Sequence, residues 1–236
     1  MKIIQYFAAI LLIAELLACS SPFEANDRQN QAAALPQRAT RLTAREIIRL
    51  RTLNIDFQWR ERCYAYSSDK NAEPHNGEAH SDNLPNPIDS TFSKAGFYLV
   101  LNQQEWVAVD SQFLGCKLYL VNTSDSLIRL SANDSRLNII AEGLDAFGRW
   151  KPITYLLSSW CGNSRHTVVL DKGEYWAFDV PVFKGRIKTK LRYSLKLDNK
   201  QEIHSNEVIA YLNKGQFDKN RKQGYSSKNI MDPSSF

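Results

Sequence analysis

One cysteine in this sequence has neighbours that a reactive thiol would need. Cys161 lies within SSWCGNSRH, directly after Trp160 and five residues before His166. A catalytic thiol requires a nearby base and a lowered pKa, which a helix N-terminus often supplies. Here the flanking segments 153–156 and 167–170 both have the composition of β-strands, and no helical pattern follows the cysteine. The sequence therefore favours a structural role for Cys161 over a nucleophilic one.

The structural role that we predict for this cysteine is a disulfide bond. Cys116 begins an apolar segment and Cys161 follows another, so we predict a bridge between these two residues. A bridge between Cys63 and Cys161 is the alternative. The Cys116–Cys161 bridge would close the loop between these two residues. On the chain-entropy model, a disulfide across a loop of this length stabilises the folded chain by roughly 3–4 kcal/mol.

The histidines at residues 75 and 80 do not have the spacing of a known zinc motif. His75, Glu78 and His80 lie in a segment that contains proline and glycine. The helical zinc motif needs two histidines four residues apart on one face, whereas these are five apart. We predict a solvated loop at this position, and no metal or other cofactor for the chain.

Carboxylates lie near several predicted strand ends, but the sequence singles out no pair. The candidates are Glu142, Asp145, Glu174 and Asp179. A glycosidase needs two carboxylates held on rigid elements. The chain also has no nucleophile elbow, phosphate loop or dinucleotide fingerprint. A non-catalytic protein is favoured, and a hydrolase acting on glycan or peptide, with its site in residues 67–90 or around Trp160, is the alternative.

The segment GRIKTKLRYSLKL, residues 185–197, alternates apolar and cationic side chains. On a β-strand this pattern places the apolar residues in the core and the cations on the outer face. A charged outer face resists edge-to-edge aggregation, and it would also bind an anionic lipid headgroup, lipopolysaccharide or acidic glycan. Nucleic acid is not expected, because no aromatic side chain of this segment lies on the cationic face; Tyr193 has the buried register. The predicted binding residues are Arg186, Lys188, Lys190, Arg192 and Lys196.

Short apolar segments recur every 8 to 15 residues from residue 92 to 212, with turn residues between them. This spacing, without a long helical period, is typical of an all-β antiparallel sandwich, and the pattern resembles immunoglobulin-like or fibronectin-III-like domains. The segment Asp171-Lys172-Gly173-Glu174 predicts a hairpin.

The regions flanking the predicted sandwich have a different composition. Residues 44–91 are predicted to form an N-terminal strand from Leu53 to Trp59 and a long polar loop, and residues 44–51 would precede that strand as a helical turn or as strand. Residues 213–236 are predicted to be a polar C-terminal tail.

The first residues, MKIIQYFAAILLIAELLACSS, have the layout of an export signal. The motif Leu16-Leu17-Ala18-Cys19 resembles the lipobox of bacterial lipoproteins. That resemblance implies removal of residues 1–18 and acylation of Cys19, with residues 19–43 as a flexible tether. Ser20 in place of aspartate implies the outer membrane of the bacterial envelope over the inner one.

Two internal stretches extend the resemblance. WKPITYLLSSWCGNSRHTVVL and the following EYWAFDVP are similar to segments of uncharacterised bacterial lipoproteins, and this resemblance assigns no activity to the chain. The net charge of +5 is compatible with binding to an anionic surface, but it identifies no partner. We therefore expect a lipid-anchored envelope protein that acts as a non-catalytic binding or assembly module.

Overall fold

The computed structural model describes residues 42–68, 81–89, 91–157 and 164–224. Within these ranges the chain forms one α-helix, α1 (Ala44–Arg49), one 3-10 helix (Lys214–Phe217) and fourteen strands. The strands are β1 (Trp59–Arg60), β2 (Asn86–Pro87), β3 (Phe97–Val109), β4 (Phe113–Asn122), β5 (Ile128–Asn133), β6 (Arg136–Leu137), β7 (Ile139–Leu144), β8 (Trp150–Pro152), β9 (Thr154–Tyr155), β10 (Arg165–Leu170), β11 (Glu174–Pro181), β12 (Ile187–Lys196), β13 (Glu202–His204) and β14 (Val208–Leu212).

Two antiparallel sheets make up most of the fold, which confirms the all-β sandwich. In the first, the strand order is β2-β11-β4-β3. In the second, the order is β13-β12-β7-β8, and β14 pairs with β12 beside β13. Smaller sheets of β10-β5-β6 and of β1-β9 complete the described body.

The main core lies between the two large sheets. Alternate residues of their strands point into it, as the period of two requires. Its largest fully buried side chains include Trp176 from the first sheet and Tyr193 from the second. Asn206 joins the sheets at one edge, because its side chain exchanges two hydrogen bonds with the backbone of Leu101 in β3 (2.7 and 3.1 Å).

A second apolar cluster covers the opposite face of the first sheet. Phe92, Tyr119 and Tyr175 pack there with ring centroids 5.0 to 5.6 Å apart. Residues 88 and 92, which precede β3, cover the strands from outside. Much of the first sheet is therefore buried on both faces, whereas an antiparallel sheet commonly has one solvated face.

Residues 44–51, for which the sequence allowed either a helical turn or a strand, begin with a helix. Thr43 and Glu46 form a reciprocal capping box, in which the Thr43 hydroxyl accepts a hydrogen bond from the Glu46 N–H and Glu46 accepts one from the Thr43 N–H. Residues 44–49 are therefore helical. The predicted strand from Leu53 to Trp59 instead makes isolated bridges to changing partners, and continuous pairing begins only at β1.

The hairpin predicted at residues 171–174 is not formed. Gly173 does take the positive φ of 70° that a tight turn requires. However, β10 pairs with β5 and β11 pairs with β4, so the turn joins two different sheets. The residues of the turn determine only the local direction of the backbone. The partner of β10 is determined by the burial of Val168 and Leu170.

Residues 213–224 pack against the body, although the sequence predicts a polar tail from residue 213. Gln216 is fully buried, and Phe217 packs against the main core. Asp56 accepts hydrogen bonds from the Gly215 N–H (2.6 Å) and from Arg221 (2.7 Å), which hold this segment in place.

Candidate binding face

The predicted basic residues lie on and beside β12, which occupies an interior position in the second sheet. It pairs with β7 on one side and with β13 and β14 on the other. Leu191, Tyr193 and Leu195 are buried in the core, as the alternation predicts. Ile187 differs, because it is 41 % exposed at the start of the strand, where the core ends.

The cations of β12 do point away from the core. Lys188, Lys190 and Lys196 are exposed, Arg192 is half-buried, and Arg186 is exposed just before the strand. The alternation along β12 therefore places Lys188, Lys190, Arg192 and Lys196 on one side of the sheet.

Three of the five cations are paired with carboxylates on adjacent strands or loops. Lys190 lies 2.7 Å from Glu207 and Lys196 lies 3.4 Å from Glu202. These two pairs are exposed, so each contributes between 0 and about 1 kcal/mol to stability. The face is consequently less cationic than the sequence alone suggests, and Lys188 is a cation without an ion pair to any residue in the described ranges.

Arg192 has a mainly structural environment. Its Nε lies 2.8 Å from Glu142 of β7, and its guanidinium stacks 4.3 Å from the ring centroid of Trp150 in β8. Both charged side chains of the pair are mostly shielded from solvent. Removing either partner would leave a half-buried charge, so Arg192 is a poor choice for a test of binding.

Exposed apolar side chains lie beside the lysines. Lys188 is paired in register with Tyr211, and Lys190 with Ile209, so all four share the outer face of the sheet. Tyr211 is 47 % exposed and Ile209 is 52 % exposed. We call Lys188, Lys190, Ile209 and Tyr211 the β12 face. It combines cationic and apolar groups, which sequence reasoning missed because β14 was not predicted to be its neighbour.

The candidate carboxylates are all engaged in structural contacts. Asp145 pairs with Arg149 (3.0 Å), and Asp179 pairs with Lys117 (2.5 Å). Glu174 accepts a hydrogen bond from the Asp171 N–H (3.0 Å). Together with the Arg192 contact of Glu142, these bonds give each of the four carboxylates a structural partner.

Two of the cysteines have buried, free thiols in the structure. Burial raises the pKa of Cys116 to about 12, and burial also raises the pKa of Cys63, with the charge of Glu61 adding to it. Both thiols are therefore protonated at neutral pH and shielded from solvent. Cys161 lies outside the described residues, so the Cys116–Cys161 bridge and its Cys63–Cys161 alternative stay predictions.

A serine–histidine contact lies close to the segment that contains Cys161. Nε2 of His166 is 3.3 Å from Oγ of Ser135, and Nδ1 is 3.4 Å from the Ser164 carbonyl oxygen. Such a pair resembles an activated nucleophile with its base. Ser135 is 0 % exposed, however, so a substrate does not reach its hydroxyl in this arrangement.

Several predicted features fall outside the described residues. They are residues 1–18, Cys19 and most of the 19–43 tether, His75, Glu78, His80, Trp160 and Cys161. In the ranges that are described, no cluster of three or more histidine, cysteine or acidic side chains has the arrangement of a metal site. None of the helices in those ranges combines the length and apolar character needed to cross a lipid bilayer.

Comparisons with known proteins return no relative from which a role could be transferred. No family model, no curated protein and no solved structure matches this chain.

Proposed function

We propose that this chain is a lipid-anchored protein of the bacterial envelope, whose β-sandwich is a non-catalytic binding or assembly module. The lipobox-like Leu16-Leu17-Ala18-Cys19 supports the anchor. The outer face of the second sheet supports the binding role, and its ligand is an anionic lipid surface.

The observation that carries the binding role is the composition of the β12 face. Lys188 and Lys190 are exposed directly beside Tyr211 and Ile209. Proteins that lie on membrane surfaces place lysine at the headgroups and insert aromatic or aliphatic groups at the boundary with the acyl chains. An acylated chain is held next to such a surface, so even weak additional contact fixes its orientation.

Charge reversal on this face tests the proposal. Lys188→Glu combined with Lys190→Glu should weaken binding to phosphatidylglycerol vesicles by about 30-fold or more, since each lysine near an anionic surface contributes about 1 kcal/mol. The measurement is co-sedimentation of residues 19–236 carrying Cys19→Ala, so that the acyl chains do not contribute. Phosphatidylcholine vesicles should bind the wild-type protein weakly.

A matched control separates local contact from net charge. Lys94 and Lys172 are exposed beside the first sheet, and reversing both changes the net charge by the same amount. The Lys94→Glu, Lys172→Glu variant should retain vesicle binding. If both double variants lose vesicle binding equally, the binding depends on net charge and not on the β12 face, and the proposed role is wrong.

A further inference from the structure

A polar cavity of about 270 Å³ opens at the far end of β12 from Arg186. Among the residues that the structure describes, the charged lining of this cavity consists of Arg136, Arg165 and Lys196 and the carboxylate of Asp198. Side chains of Asn133 and other polar residues contribute further lining. The cavity is a site distinct from the β12 face, although Lys196 belongs to the same strand.

Arg136 is the unusual member of this group. Only 6 % of its surface is exposed. Charged side chains are almost never buried to this extent unless they are paired, because desolvation of an ion costs several kcal/mol. Yet Arg136 forms no ion pair with any residue that the structure describes. Its guanidinium makes one hydrogen bond in those ranges, from Nη2 to the carbonyl oxygen of Leu157.

The local backbone explains why the arginine stays in this position. Asp134 and Ser135 both adopt positive φ, 48° and 60°, and form the two-residue turn between β5 and β6. Arg136 follows the turn at once, and its backbone pairs with Asn133 and bridges to Tyr64. The guanidinium is therefore held at the cavity by a rigid hairpin, with most of its five N–H donors available to a ligand.

We propose that this cavity binds a phosphate group. Among the described lining residues three cations face one carboxylate, and this positive lining suits a phosphate monoester, whose charge is about −1.5 to −2 at neutral pH. A guanidinium presents a planar fork of donors that fits two phosphate oxygens at once. Lys196 is available because its contact with Glu202, at 3.4 Å, is exposed and weak.

The volume limits the ligand to a small one. A cavity of about 270 Å³ lies just below the usual range for small-molecule sites, which suits a phosphate with a short body attached. Leu137, Leu156 and Leu197 supply an apolar wall for that body. Free phosphate esters and phosphate-bearing lipid headgroups share the chemistry that the site recognises.

Titration of the full chain, purified in a non-ionic detergent, with inorganic phosphate tests the site. Calorimetry should show saturable binding at one site per chain. Arg165→Gln should weaken it about tenfold, because Arg165 is exposed at the cavity and its loss removes one charge-assisted contact without disturbing the core. Arg136→Met should abolish binding, and a circular dichroism spectrum reports whether that variant folds.

The control is Lys172→Gln, which removes one exposed positive charge from a turn that does not line the cavity. It should bind phosphate as the wild-type protein does. Acetate, with a single charge, should bind more weakly than phosphate. Absence of saturable phosphate binding, an unchanged affinity in Arg165→Gln, or acetate binding as tight as phosphate would each overturn the proposal.

Glycerol 3-phosphate and phosphatidic acid vesicles distinguish the two sources of the phosphate. Binding of both that is weakened in Arg165→Gln assigns the site to a lipid headgroup, and binding of glycerol 3-phosphate alone assigns it to a soluble ester. Vesicle binding lost only in Lys188→Glu, Lys190→Glu belongs to the β12 face. The proposal for the β12 face and the proposal for the cavity are therefore tested independently.

Discussion

At the scale of single residues, the least expected group is a carboxylate inside the main core. Glu61 is buried, and burial raises its pKa from 4.5 to about 7, although hydrogen bonds from Thr154, the Arg62 backbone and Cys63 act in the opposite direction. One of its oxygens, Oε2, has no hydrogen-bond partner in the part of the chain that the structure describes. Burial likewise raises the pKa of Tyr193, and Glu61 adds to that rise.

From the raised pKa of Glu61 we predict that the protein loses stability as pH rises. The folded state favours the protonated form, so the contribution of Glu61 is fully present below pH 4.5 and is lost as pH rises through about 7. A shift of this size corresponds to about 3 kcal/mol. Urea unfolding at pH 5 and pH 8 should show the loss in the wild-type protein.

The Glu61→Gln variant provides the comparison, because glutamine has the same shape and does not titrate. Its free energy of unfolding should change less between pH 5 and pH 8, by about the amount attributed to Glu61. The same pH dependence in both proteins would show that other groups cause it.

Residue-scale prediction from sequence succeeded where alternation decided exposure. The outward direction of Lys188 and Lys190 follows from their position between apolar residues of one strand. Burial of Glu61 and Arg136 did not follow, because charged side chains are normally expected at the surface. Only the fold reveals that Arg136 directly follows a tight turn and that the backbone of Glu61 is hydrogen-bonded to Tyr155 of β9.

At the scale of elements, most strands could be predicted, whereas their pairing could not. The apolar segments from residue 96 to 212 correspond to strands, since a period of two is a local property. In the sequence, residues 96–101 and 105–109 form two separate apolar segments, whereas in the structure they belong to one strand, β3, with a register shift between Asn102 and Trp106. Such a bulge bends a strand without ending it.

Pairing of β12 with β14 also depends on Gly185, and the sequence does not indicate this role. A methyl group on Gly185 would lie 2.2 Å from the carbonyl carbon of Leu212 and 2.3 Å from its oxygen. Gly185→Ala should therefore separate β12 from β14, which pair between Ile187 and Leu212, and destabilise the protein by about 3 kcal/mol. Thermal unfolding followed by circular dichroism measures the loss.

Gly148 is the control for this substitution. It lies in the turn between β7 and β8 with a φ of 73° and no atom within 4 Å of an added side-chain carbon. Asparagine tolerates that conformation, so Gly148→Asn should cost less than Gly185→Ala. A mild effect at Gly185 would mean that the backbones of β12 and β14 can move apart freely.

At the scale of the whole molecule, attachment to a membrane rests on the N-terminal motif. If Cys19 is acylated, a palmitate analogue supplied to the producing bacterium should label the chain. Cys19→Ala should remove the label, because no other thiol follows a lipobox-like motif. In-gel fluorescence after coupling a dye to the analogue measures the label.

Cys161→Ala is the matched control for labelling, since it also removes one cysteine and leaves the motif intact. It should remain labelled. An unlabelled wild-type protein, in cells where a known lipoprotein is labelled, would rule out the lipid anchor.

The aromatic cluster of Phe92, Tyr119 and Tyr175 has a consequence for how the molecule meets its surroundings. It packs an apolar layer onto the outer face of the first sheet, over the part of β4 and β11 around Tyr119 and Tyr175. In the part of the chain that the structure describes, the sheet containing β12 instead carries exposed side chains on its outer surface, among them Lys188, Lys190 and Tyr211. The body is thus two-sided, and any assembly built from it would have a defined front and back.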